Sequence, residues 1–181
     1  MRKLSKEEFI NLAGKGRYLN SDAPEFLIKY ITRTNGLPQD DLVAWGGIGV
    51  AEYLGTETVI EQIYHVQKMR KRRGNFGRYI DHEIYSLSTE EEAIIRENNI
   101  DIDKIARKMA YDFYDNDHCQ VVYGVHRTDE EEKHMHIHFA INTVDYVTTN
   151  KRRENTRQTE ERGKRLQKIV DDEINENVSD K

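Results

Sequence analysis

Lys133-His134-Met135-His136-Ile137-His138-Phe139-Ala140-Ile141-Asn142 is the stretch whose reading decides the fold. In an extended strand successive side chains point to opposite faces. His134, His136 and His138 therefore share one face, and Met135, Ile137 and Phe139 line the other. The second face is core. The first is a row of imidazoles, which packing does not explain and which is the natural start of a metal site.

Immediately upstream, Val121-Val122-Tyr123-Gly124-Val125 reads as a second strand that ends on His126. The short charged connection 127–133 makes the two strands an antiparallel hairpin. Such a hairpin brings His126 onto the histidine face and offers three imidazoles with coordination positions left open, as a catalytic metal requires. Which three of the four histidines bind stays open, because His134 competes with His126.

Further out, residues 79–87 alternate as a strand. Ser88 to Glu92 reads as a helix start, with acids favourably placed against the helix dipole. Helical text then runs to about His118, broken at Asn98-Asn99, and buries Ile102, Ile105, Ala106, Met109, Ala110 and Phe113. A helix over 56–73 carries Val59, Ile60, Ile63, Val66 and Met69 on one stripe and is broken by Gly74-Asn75-Phe76-Gly77. Residues 39–50 are Gly-rich, lack a GxGxxG nucleotide loop, and read as a loop or short strand. Pro24 opens a helix with Phe26, Leu27, Tyr30 and Ile31 at helical spacing. Ser5 and Glu8 form a capping-box pattern for a short helix over 4–13. The pattern predicts an α+β fold: a central antiparallel sheet of about five strands, helices mainly on one face, and the active site on the other. Residues 1–150 form the domain, and 151–181, polar with sparse Leu166, Ile169, Val170 and Ile174, a charged helix or tail.

Composition narrows the class. A single cysteine among 181 residues excludes a disulfide framework, and with no signal-like or membrane-spanning run the expectation is a cytoplasmic protein. The net charge of −5 argues against nucleic acid only as a sum; the distribution is polarised. Arg70, Lys71, Arg72, Arg73 and Arg78, with Phe76 and Tyr79 nearby, combine cations and rings as single-strand binding does. Lys151 to Lys168 is basic again, and a run this polar is usually solvated.

At this point the residues resemble a known family. His126-Arg127-Thr128-Asp129, an acidic link, then His136-Ile137-His138-Phe139-Ala140-Ile141-Asn142 resembles the metal motif of conjugative relaxases, the HUH-superfamily mobilisation nucleases, and most closely the MOBP type. The segment from His82 to Ser88 with its acidic helix start is similar to the family's second motif. Glu25 to Arg33 is similar to the first, in which the catalytic tyrosine precedes Ile or Leu and a charged residue. The link departs from the pattern, being lengthened by Glu130, Glu131 and Glu132. The resemblance covers roughly residues 24–146.

It implies an HUH endonuclease fold that nicks and religates one DNA strand at a transfer origin through a covalent 5′-phosphotyrosyl intermediate. Tyr30 is the implied nucleophile, with Tyr18 as the fallback, and His126, His136 and His138 are the implied metal ligands. Asp129 is either a base, an orienting carboxylate or a turn residue. His82 shares the face of the site, and Asn142 is a motif marker. The family is associated with Mn²⁺ or Mg²⁺, while imidazole-rich sites also suit Zn²⁺, Ni²⁺ or Co²⁺. Implied partners are single-stranded origin DNA, relaxosome accessory proteins and a secretion coupling protein. Rolling-circle initiators of the same superfamily carry their tyrosine downstream of the histidines, where only Tyr146 follows Asn142. The rival from another class is a non-catalytic metal- or DNA-binding module.

Overall fold

A computed structural model describes residues 18–36, 38–70, 77–127 and 134–179. The expected helix over 4–13, Lys71, Arg72, Arg73, Phe76 and Asp129 lie outside the described residues.

Helix α1 (Ala23–Ile31) starts with Pro24 in its first turn, where the missing N–H costs nothing. Strand β1 (Leu42–Ile48) and a 3₁₀ turn (Glu52–Leu54) lead into α2 (Thr56–Lys68). Strand β2 (Ile80–Ser86) runs into α3 (Thr89–Glu97), whose start is a capping box: Glu91 N–H donates to Ser88 Oγ at 3.2 Å and Ser88 N–H to Glu91 Oε2 at 2.6 Å. Helix α4 (Ile102–Asp117) is capped by Asp101 and ends on His118 in the left-handed conformation. Strands β3 (Val121–His126) and β4 (His136–Asn142) follow, and α5 (Thr156–Ser179) closes the chain.

The fold class is the α+β arrangement that the sequence implies, with two differences. Among the described residues the sheet has four strands rather than about five, all antiparallel, in the order β1-β3-β4-β2. One of the four is the Gly-rich stretch left open between loop and strand. Gly46 and Gly47 sit in β1 because neighbours press on its backbone: a Cβ on Gly46 would lie 2.6 Å from the Tyr123 hydroxyl.

The second difference concerns the helices, which cover both faces rather than mainly one. Ile137, Phe139 and Ile141 of β4 and Val121, Tyr123 and Val125 of β3 pack under α4 and α5, where Phe113 meets Phe139 at 5.1 Å. On the opposite face Ile80, Val122 and Ala140 receive Leu27, Ile28 and Ile31 of α1 and Val59, Ile60 and Ile63 of α2. The physical reason is that the histidine face is mixed. Its apolar half needs a lid, each buried aliphatic side chain contributing about 1.5–3 kcal/mol, and its imidazole half lies under the end of that lid, where His126 meets the Ile31 carbonyl.

The segment 151–179 is bound to the sheet, with Leu166 and Val170 in the core. Its basic run turns inward. Arg162, 1% exposed, grips Glu83 of β2 with Nη2–Oε1 at 2.6 Å and Nε–Oε2 at 3.1 Å, and also pairs with Glu154 and Asp117. Arg152 reaches Asp81 at 3.3 Å and Asp117 at 3.2 Å. Two guanidinium groups thus answer four carboxylates beneath the sheet, and removing one side of such a buried pair costs about 3–5 kcal/mol. Arg165 pairs with Asp112 and Lys168 with Asp172.

Candidate metal centre and active site

Register puts the histidines together. His126 of β3 lies opposite His136 of β4, and Gly124 opposite His138. One ligand nitrogen from each of His126, His136 and His138 falls within 4.8 Å of the others. His134 leaves the group, because β4 begins only at His136. Its ring lies beside α3 instead, 3.4 Å from Thr89 Oγ1 and 3.9 Å from Glu92. His82 joins the group from β2, its ring edge to edge with His138 and nearly parallel to it, with centroids 5.1 Å apart at 24°.

The hydrogen bonds fix which nitrogens are available. His136 Nδ1 lies 3.0 Å from the His134 carbonyl; a carbonyl only accepts, so this nitrogen carries the proton and Nε2 holds the lone pair. His138 Nε2 is buried and has no hydrogen-bond partner among the described residues. His126 donates from Nε2 to the Ile31 carbonyl at 2.8 Å, and Arg33 Nη2 stands 3.0 Å from its Nδ1. One of these two contacts must yield for His126 to ligate.

Burial keeps the His126, His138 and His82 rings neutral, as ligation requires of a histidine. Desolvation lowers His126 to about 4, with Arg33 and His136 adding to the effect and the Ile31 carbonyl and Asp41 opposing it. Desolvation and the neighbouring imidazoles bring His138 to about 2, and His82 to about 4. An orphaned buried nitrogen and neutral imidazoles are a donor set that fits a divalent metal.

These shifts have a cost in acid. The folded protein holds His126 neutral down to about 4, whereas the unfolded chain takes up a proton near 6.5. Between those values the unfolded state binds more protons, so stability is fully present above 6.5 and drains away as pH falls toward 4. For His126 alone the loss is on the order of 3 kcal/mol. Thermal unfolding of metal-free protein between pH 7 and pH 4 should show the midpoint falling; a midpoint flat across that range would contradict the buried, neutral rings.

Tyr30 is brought to the cluster. It lies in the last turn of α1, is 38% exposed, and stands edge-on to His138 at 5.7 Å and to His126 at 6.2 Å. Two residues that sequence reasoning did not select hold it there. Arg33 lies over the Tyr30 ring at 4.8 Å, donates to the Tyr30 carbonyl at 2.7 Å, and is locked by Asp41, to which its Nε donates at 2.8 Å. That pairing holds the Asp41 carboxyl below its ordinary value. Arg33 was visible one turn after Tyr30; Asp41 carries no local signal.

Asn142 stands apart from the histidines. Fully buried, it donates to the Ile63 carbonyl at 3.2 Å and to Gln120 Oε1 at 2.9 Å, and accepts from Gln67 and Val144 N–H. It ties α2 to the exit of β4, which is a structural task. Of the basic residues, Arg78 pairs with Asp81 at 3.3 Å. Lys151 lies 5.5 Å from the Tyr79 ring centre, and burial with the nearby Arg70 lowers its ammonium to about 8. No helix among the described residues is long and apolar enough to cross a membrane.

Searches of curated proteins and of solved structures found no match to the chain. A family model for the nuclease domain of MobA/VirD2-like relaxases does match, over residues 30–176. The matched segment opens on Tyr30 and takes in the whole imidazole cluster and most of α5. By that match the chain belongs to the MobA/VirD2-like relaxase nuclease family.

Proposed function

We propose that this DNA-nicking relaxase domain cuts one strand at a transfer origin with Tyr30 as nucleophile and a divalent metal held by His126, His136 and His138. The observation that carries the reading is Tyr30 standing edge-on to two of three clustered imidazoles. When bound, the metal supplies charge that offsets the negative charge gathering on the scissile phosphate.

The chain's own part is nucleophilic. The Tyr30 hydroxyl oxygen attacks phosphorus in line, the new Tyr30 O–P bond forms as the P–O3′ bond breaks, and the departing 3′ oxygen takes a proton to become a free hydroxyl. The 5′ phosphate stays on the enzyme and the phosphodiester energy is retained, so the reverse attack religates the strand. A tyrosine hydroxyl has an intrinsic pKa near ~10, so its proton needs an acceptor, the role proposed for Asp129. DNA contacts are assigned to Arg70, Lys71, Arg72, Arg73 and Arg78, and affinity should fall steeply with salt. Transfer by conjugation or mobilisation, with accessory and coupling proteins, is the proposed setting.

The test incubates the protein with single-stranded oligonucleotides from its element's transfer origin and Mn²⁺. A covalent protein–DNA adduct on a denaturing gel, mapped by mass spectrometry to the Tyr30 peptide and lost on chelation, is the expected result. Absence of an adduct on every origin oligonucleotide would favour a binding module instead.

A further inference from the structure

The mechanism leaves His82 and Tyr18 unused, although both are tied to the cluster. His82 Nε2 lies 2.8 Å from His138 Nδ1, and the Tyr18 hydroxyl lies 2.7 Å from His82 Nδ1. We infer that His82, steadied by Tyr18, is a positioning residue for the metal centre, holding the His138 ring so that Nε2 faces the cation. This rests on the metal reading above.

The proton count of a neutral imidazole decides the direction of each bond. A ring that gives its Nε2 lone pair to a cation carries its proton on Nδ1. His138 Nδ1–H must then donate to His82 Nε2. His82, also neutral, keeps its proton on Nδ1 and donates it to the Tyr18 oxygen. The two rings lie edge to edge and nearly coplanar along that bond, with centroids 5.1 Å apart at 24°, and a flip of His138 that turned Nε2 away would put a carbon in place of Nδ1 and lose the bond. Tyr18 is itself pinned: its carbonyl accepts from Tyr79 N–H at 2.8 Å, and its backbone takes a left-handed φ of 42°.

Ligating histidines are ordinarily oriented by a carboxylate, a backbone carbonyl or water. His136 follows that habit through the His134 carbonyl, whereas His138 is oriented by another neutral ring. A neutral orienting group subtracts no positive charge from a centre that must attract a phosphate. The same chain of bonds makes Tyr18 an acceptor toward His82. His82 therefore does not draw the proton from Tyr18, which sets that tyrosine apart from the nucleophile.

The experiment measures Mn²⁺ affinity by titration calorimetry and the visible absorption of the Co²⁺-loaded protein, for wild type, His82→Phe, His82→Gln and Tyr18→Phe. Phenylalanine keeps a flat ring in the same place and removes the acceptor; glutamine restores an acceptor near the Nε2 position. His82→Phe is expected to weaken Mn²⁺ binding ~10–100-fold, the usual range for losing an orienting partner, and to alter the Co²⁺ spectrum. His82→Gln should stay within about threefold of wild type, and Tyr18→Phe should lose a few-fold. Wild-type affinity in His82→Phe would overturn the inference. If thermal unfolding shows His82→Phe to be unfolded, unchanged affinity in Tyr18→Phe would overturn it. Failure of the wild type to bind Mn²⁺ or Co²⁺ at all would instead defeat the metal reading beneath it.

Discussion

Tyr30→Phe is expected to abolish the covalent adduct and lower strand nicking by at least ~10³-fold while leaving folding and DNA affinity within about threefold. The asymmetry follows from position. The Tyr30 ring rests against His126 and His138 and under the Arg33 guanidinium, and phenylalanine keeps those contacts. The residue is 38% exposed, and Arg33, the side chain with which it interacts, keeps its bonds to Asp41 and to the Tyr30 carbonyl when the hydroxyl is lost. Only the oxygen proposed to attack is removed. Nicking assays beside an equilibrium binding curve on the same oligonucleotide separate the two quantities. A persistent adduct in Tyr30→Phe would move the nucleophile elsewhere, and Tyr18 would be examined next.

Gly124→Ala is expected to be nearly as damaging to activity without touching a reactive group. Gly124 lies opposite His138, and the end of α1 rests directly on it. An added Cβ would collide with the Ile31 carbonyl oxygen, sit 3.0 Å from its carbon, and lie 3.4 Å from His126 Nε2. Backbone atoms cannot swing aside as a side chain can, so α1 must lift, taking Tyr30 with it and loosening the Ile31–His126 hydrogen bond. Overpacking of this kind costs about 1–3 kcal/mol. A displacement near ~1 Å at a reacting group is worth ~10² in rate. Nicking should therefore fall about 100-fold in a protein that still unfolds cooperatively, and a wild-type rate in Gly124→Ala would show that α1 does not set the approach of Tyr30.

The histidine strand was legible because its pattern has period two: Ile137 and Phe139 are core, while His136 and His138 face the site, as the alternation says. The hairpin supplied His126, and local capping chemistry announced α3. What stayed hidden depends on partners distant in the chain. β1 hides its strand character because Gly46 and Gly47 answer to Tyr123 and Val50 rather than to local propensity. Helices on both faces could not be read, since a stripe such as Val59, Ile60 and Ile63 reveals that a helix packs and not on which side of a sheet. His134 belongs to the alternation by sequence yet precedes the paired strand, where pairing no longer fixes its direction. The Tyr18–His82–His138 chain spans separations of 64 and 56 residues, beyond any motif window.

The hydrogen bond from His126 to the Ile31 carbonyl joins residues 95 positions apart, and this gives the protein a timetable. Translation proceeds at about 5–20 residues per second, so roughly 5–20 s pass between synthesis of α1 and arrival of the strand that completes its seat. Until then the tyrosine exists without imidazoles beside it, and α1 has no Val122 or Ala140 to rest on. A chain still on the ribosome, or one stopped short of β4, carries the proposed nucleophile and lacks its setting. The seat of Tyr30 beside the imidazoles is thus complete only once the last strand slots between β3 and β2.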